Sequence, residues 1–323
     1  MRQDCNLHIK YKGFLEKKSM KRKGLKRKGL KRRDAIECAC FVLPGLLYML
    51  CIIGYPMIYN IIISFQDVSV MTFAQKVKEF VSWENYRYLF QNDIILQVLK
   101  QTFVFTFFCI FFQLGIGLLL ALFFNGNFRT ARPVRGLLLV IWVVPMTVVA
   151  LIFKFIFQTD GGLINTVLLS LHLVKEPVEW LVDKNMAMVG VIIANCWVGI
   201  PFNMILLTSG LSSISTEIYE SASIDGANGF AKFRCITLPL LRPAIMSVLI
   251  LGVIYTFKVF DLVWVMTAGG PTNGTHLLST YSYKLSFSDY QFSRGAAAAN
   301  ILMICLLIVS LIYINLIKKD EVM

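Results

Sequence analysis

Charge is what this sequence has too little of. Only 16% of its 323 residues are Asp, Glu, Lys or Arg, where a soluble domain carries about 25%. With 57% hydrophobic residues, the deficit excludes a water-soluble globule and makes lipid the solvent. Histidine is scarce too. His8, His172 and His276 stand without the spacing that a metal site or a catalytic base needs. No Walker A loop, His-Glu-x-x-His pair or Gly-x-Ser-x-Gly elbow occurs, so the chain cannot hydrolyse ATP through a P-loop. The run Gly269-Gly270-Pro271-Thr272-Asn273-Gly274-Thr275 lacks the Lys-Ser/Thr ending of a phosphate cradle and reads as tight turns. Eight cysteines (Cys5, Cys38, Cys40, Cys51, Cys109, Cys196, Cys235 and Cys305) form no ligand cluster. They read as apolar side chains rather than disulfides or a zinc site.

What is present is long apolar runs. A membrane helix needs about 20 mostly apolar residues, and six stretches qualify: roughly 35–64, 102–124, 136–157, 186–209, 244–267 and 296–317. The expected fold is all-α, a polytopic membrane bundle of about six spans over 35–320, between a basic tail at 1–34 and a short end at 321–323. Prolines 44, 56, 145 and 201 fall in or near these spans, where neighbouring groups must satisfy the freed carbonyls.

Orientation follows from basic residues. Residues 1–34 hold 14 of the 32 Lys and Arg. Placing both termini in the cytoplasm puts 22 basic residues inside and 8 outside, as the positive-inside rule requires. The tail either grips anionic membrane lipid, at about 1 kcal/mol per basic residue, or only sets orientation. No aromatic residues interleave its basic run, so nucleic acid is not an expected partner. Its long basic part and the lack of a small-residue cleavage site argue against a secretory signal.

The inner connection 210–243 is the most informative segment. Ser215 caps a helix with Glu217 in its first turn, and Gly226 permits a turn after Asp225. A second stretch follows with Phe230, Phe233 and Ile236 on one side, and Leu238-Pro239 and Arg242-Pro243 are expected to end it. The product is a helix–turn–helix elbow tied to the fifth span, so a push on the elbow moves that span.

Here a family resemblance becomes specific. Glu220-x-Ala222-x-x-Asp225-Gly226-Ala227, then Phe233-x-x-Ile236-Thr237-Leu238-Pro239 and Pro243, resembles the EAA coupling loop of binding-protein-dependent ABC importer permeases. Ser221 replaces the usual second Ala, and Ser215 an often-found Pro. Phe260-Asp261 with Thr267-Ala268-Gly269-Gly270-Pro271 resembles the end of helix five in carbohydrate-type permeases of the MalF/UgpA type. Gly295-Ala296-Ala297-Ala298-Ala299 and Asn195-Cys196-Trp197-Val198-Gly199-Ile200-Pro201 fit as well. The resemblance implies a type I importer with the MetI-like fold in a prokaryotic inner membrane. It implies a heterodimer with a second permease, two ATPases that bind ATP and Mg, an outer substrate-binding protein, and no cofactor in this chain. Glu220, Ser221, Ala222, Asp225, Gly226, Ala227, Leu238 and Pro239 would form the ATPase interface.

The same resemblance assigns solute contacts to Asn195, Gly199, Phe202, Tyr255, Thr256 and Val259, with Asn203 nearby. Val259 stands where the family has an amide. Helix packing is the competing reading for small and polar residues in a membrane. Lys258 has Asp261 three residues on, close enough to pair along a helix. The pair either satisfies itself within the bundle or faces the pathway and orients a polar or anionic solute. Sugar import is the expected function, with a glycerol-phosphate-type solute as the alternative. A self-contained ion-coupled transporter would need Lys258–Asp261 as its relay. No catalytic constellation supports a membrane enzyme.

Overall fold

The computed structural model describes residues 37–126 and 131–320; the expected basic tail 1–34 and the end 321–323 lie outside the described residues. The regular elements among the described residues are helices, joined by turns and irregular loops, with one isolated β-bridge, Gln66 to Phe80. The chain parts into two compact units between Asn60 and Ile61. The first holds most of α1 (Glu37–Ser64), which is long and apolar enough to cross a membrane. A π turn at Leu50–Gly54 interrupts it, with the Tyr55 N–H donating to the Leu50 carbonyl. Pro56 follows directly. Its ring and missing N–H disturb an ordinary turn, and the wider turn lets the helix run on.

The second unit contains α2 (Glu84–Gln91), α3 (Asp93–Phe124), α4 (Ala131–Val143), α5 (Met146–Ile156) and α6 (Leu163–Ser170). After these come α7 (Lys184–Ser212), α8 (Thr216–Ile224), α9 (Gly229–Phe257) and α10 (Asp261–Thr267). The unit closes with α11 (Leu278–Tyr283) and α12 (Phe292–Asp320). Five helices, α1, α3, α7, α9 and α12, pass as spans, and α4 with α5 make a sixth if the bent pair is one span.

Two expected spans differ from the structure. The third, 136–157, is broken: α4 and α5 meet at 95°. Pro145 causes this, because a proline biases the residue before it out of the helical region, and extended backbone at Pro145 (ψ 134) then starts α5. The fifth, 244–267, is displaced. Its helix begins at Gly229, passes Pro239 and Pro243, and stops at Phe257. The two prolines were expected to end the elbow's second half and do not. A second π turn, Phe233–Thr237, has the Leu238 N–H donating to the Phe233 carbonyl. As at Pro56, the wide turn immediately precedes a proline.

The core is built on α3 against α7, with α9 packed on both. Their contact is polar at its centre. Gln113 of α3 donates to the Asn195 carbonyl at 3.2 Å and accepts from Asn203 Nδ2 at 3.4 Å. Asn203 also donates to the Gly199 carbonyl at 2.9 Å. Gly199 makes the arrangement possible: a Cβ there would lie 2.2 Å from the Gln113 amide carbon. We expect Gly199→Ala to push that amide aside and cost about 1–3 kcal/mol, read as a lower unfolding midpoint in detergent.

After α10 the chain turns tightly through Ala268 (φ 48) and Gly269 (φ 84), as the Gly/Pro run predicts. The turn packs on His276, which is 2% exposed and whose Nδ1 lies 3.2 Å from Thr280 Oγ1. Burial, then the charge of Lys284, pushes the imidazole pKa down to about 4. The fold holds the ring neutral, so its contribution is complete above pH 6.5 and is lost as pH falls. The loss reaches about 3 kcal/mol by pH 4. The protection factors of the 268–277 amides, with exchange rates corrected for their intrinsic slowing in acid, should therefore fall between pH 6.5 and 4, and His276→Asn should flatten that dependence.

Candidate coupling elbow and solute-facing cluster

The elbow forms as its capping residues dictate. Ser215 accepts from the Glu217 N–H at 3.3 Å, and Glu217 sits in the first turn of α8, where the helix dipole favours it. The far end closes with two bonds: Gly226 N–H to the Ser223 carbonyl at 3.2 Å, and Ala227 N–H to the Ala222 carbonyl at 2.9 Å. This double closure needs a left-handed residue between them, and Gly226 supplies it at φ 79. Asn228 then caps α9 by accepting from the Ala231 N–H at 2.8 Å.

Cross-braces hold the two arms together. Tyr219 Oη and Thr237 Oγ1 are 2.9 Å apart. Lys232 donates to Ser223 Oγ at 2.6 Å, and Ser223 donates onward to the Tyr219 carbonyl at 2.7 Å. No residue of α8 is buried. Glu220, Ser221, Asp225, Gly226, Leu238 and Pro239 are exposed, while Ala222 and Ala227 are half-buried. Ile224 (88% exposed) and Phe230 (71%) lie on the same elbow. Both apolar side chains thus stand out from a braced element.

The expected solute residues divide into two groups. Asn195 and Thr256 are buried, as is Val259, which packs in the apolar core. Gly199 is covered by Gln113. All four are packed inside the helix bundle. Phe202 and Tyr255 come together instead. Phe202 stacks on Trp142 of α4, with centroids 5.2 Å apart and planes 17° apart. It meets Tyr255 edge-on at 6.3 Å. Trp142 and Tyr255 are about half exposed, so the cluster presents aromatic surface where α4, α7 and α9 converge.

The expected Lys258–Asp261 pair does not form. An i, i+3 pairing needs one continuous helix, and the chain breaks here: Lys258 ends α9, Phe260 leaves helical geometry (φ −129, ψ −60), and Asp261 starts α10. Lys258 Nζ instead lies 5.2 Å from the centre of the Tyr255 ring. The ammonium thus joins the aromatic cluster, held by a ring face.

Residues 113–319 match the family of binding-protein-dependent transport system inner membrane components. The chain belongs to that family. The permease is 31% identical over 280 residues to a probable ABC transporter permease protein of Brucella suis, covering 87% of this chain and 96% of that one. It is 30% identical over 288 residues to the sulfoquinovosyl glycerol transport system permease protein of Agrobacterium fabrum, covering 89% and 92%. Its fold matches a chain of a bacterial ABC transporter involved in the import of the acidic polysaccharide alginate. There the TM-score is 0.76, at 22% identity over 89% of this permease and 96% of that chain.

Two residues of the permease escaped the sequence reading. Gln113 was legible as an amide inside an apolar span, a costly position that wants a partner. Trp142 gave no signal, because only the break at Pro145 turns α4 so that its ring meets Phe202. Gly226→Val should strain the elbow by about 1–2 kcal/mol, since only Gly takes this conformation freely. The expected readout is faster amide exchange confined to 216–228.

Proposed function

We propose that this permease forms half of the pathway of an ATP-driven sugar or oligosaccharide importer, and that the 215–243 segment is its coupling element. A second, related permease completes the pathway. Two partner ATPases bind ATP and Mg and seat the elbow on the cytoplasmic side, and an outer binding protein delivers the solute. Both termini lie in the cytoplasm of a prokaryotic cell, consistent with the basic excess at 1–34.

The observation that carries this reading is the continuity of α9. It starts inside the elbow at Gly229 and ends at Phe257, two residues beyond Tyr255. One rod of about 39 Å, at 1.5 Å per residue, joins the exposed elbow to the aromatic cluster. The Agrobacterium relative and the alginate importer, by their names, handle carbohydrates. The half-exposed rings of Trp142 and Tyr255, stacked on and edge-on to Phe202 respectively, suit the apolar faces of sugar rings.

A second reading concerns solute charge. Lys258 has no carboxylate partner among the described residues and points its charge at the cluster, which favours an acidic sugar or a glycerol-phosphate-type solute over a neutral one. The relay that a self-contained ion-coupled carrier would use is not assembled.

In proteoliposomes of the whole complex, Glu220→Lys should cut ATP-dependent uptake at least about tenfold and leave assembly of the two permeases intact. Unchanged uptake, or uptake that follows an ion gradient without ATP, would refute the coupling role. Lys258→Gln should weaken transport of an anionic saccharide more than that of its neutral analogue; equal losses would argue for a neutral solute.

A further inference from the structure

We propose that the permease carries a site for one anionic glycerophospholipid on the α3–α7 face, at the end of the bundle away from the elbow. Two adjoining hollows make the case. The first, about 380 Å3, is lined by Gln97, Lys100, Gln101, Lys184, Asn185 and parts of Val104, Met188 and Gly274. It contains two ammonium groups and three amides and no carboxylate. The second, about 680 Å3, is a groove almost wholly apolar, with Phe108, Phe112 and Ile116 from α3 facing Ile192, Trp197 and Ile200 from α7. Val104, Asn185 and Met188 line both, so the polar hollow opens directly onto the groove.

The dimensions suit a lipid. Val104 to Ile116 spans about 18 Å of helix at 1.5 Å per residue, close to the roughly 15 Å depth of one leaflet's hydrocarbon. Phe108, Phe112 and Ile116 follow Val104 at four-residue steps, which lines them along one face. At the head end, Lys184 is positioned by its stem: its Cγ lies against Gly274, where an added Cβ would stand only 2.8 Å away. Gln101 and Gln97 fasten the same loop by donating to the Gly274 carbonyl at 2.8 Å and the Asn273 carbonyl at 3.2 Å. Lys284 also reaches this loop, donating to Asn273 Oδ1 at 3.2 Å. Lys100 and Lys184 thus stand at the head of an apolar groove of acyl length, which is how basic pockets between membrane helices take anionic headgroups. A second permease seated on the groove would fill its apolar part but would leave Lys100 and Lys184 without an anion.

The test uses the full-length permease in its assembled complex, stripped of lipid and given equimolar phosphatidylglycerol and phosphatidylcholine, with retained lipid counted by native mass spectrometry. The wild-type complex should keep one more phosphatidylglycerol per permease than Lys100→Gln/Lys184→Gln, while Lys100→Arg/Lys184→Arg keeps the wild-type number. Met188→Trp, which fills the junction of the two hollows, should lose that lipid with both lysines intact. Equal phosphatidylglycerol counts in the wild type and the double Gln variant would overturn the proposal. So would displacement of the lipid by free glycerol phosphate, or a photo-crosslinker at Phe112 trapping the second permease instead of lipid.

Discussion

Gln113 fastens α3 to α7, and the rest of the helical unit is arranged around that joint. In lipid, apolar side chains gain little by leaving one helix surface for another, so helix association rests on close packing and polar contacts. The amide of Gln113 meets both needs. It enters the space that Gly199 leaves free and is satisfied by the Asn195 carbonyl and the Asn203 amide. With α3 and α7 locked, α9 has a fixed groove to follow, and α4 and α5 fold around the outside of α7. Asn195 and Gly199, which the sequence resemblance assigns to solute, both flank this joint. Phe202, on the same helix as Asn195, projects away from the joint and meets Trp142 and Tyr255 instead.

The sequence made much of this legible, because the strongest signals were local. Apolar runs located the spans, and the Ser215 cap with Gly226 at the turn described the first arm of the elbow. The readings that went astray share a physical reason: each misjudged where the backbone departs from a regular helix. Pro145 does break a span, but by turning it through 95° rather than by ending it. Pro239 and Pro243 end nothing, because the backbone widens into a π turn just upstream. The chain stops instead at Lys258, where nothing in the side chains announces a break, and this separates Lys258 from Asp261. Backbone adjustments of this kind answer to tertiary packing, so periodicity and propensity do not reveal them.

The aromatic cluster is a tertiary object for the same reason. Its members come from three helices, and Trp142 arrives only because α4 is bent away from α5. Lys258 completes it by exchanging a carboxylate for a ring face. A cation held this way stays more available to an anion than one neutralised by Asp261 would be.

The π turn at Phe233–Thr237 has a mechanical consequence. It lies at the foot of a straight lever, and Thr237 within it is bonded to Tyr219 on the other arm of the elbow. A swing of only about 10° at that pivot would carry Tyr255, some 27 Å further along at 1.5 Å per residue, sideways by roughly 5 Å. Such a displacement is enough to part the Phe202 and Tyr255 rings, so a small rotation at the foot of the lever is magnified into a change of contact at its tip.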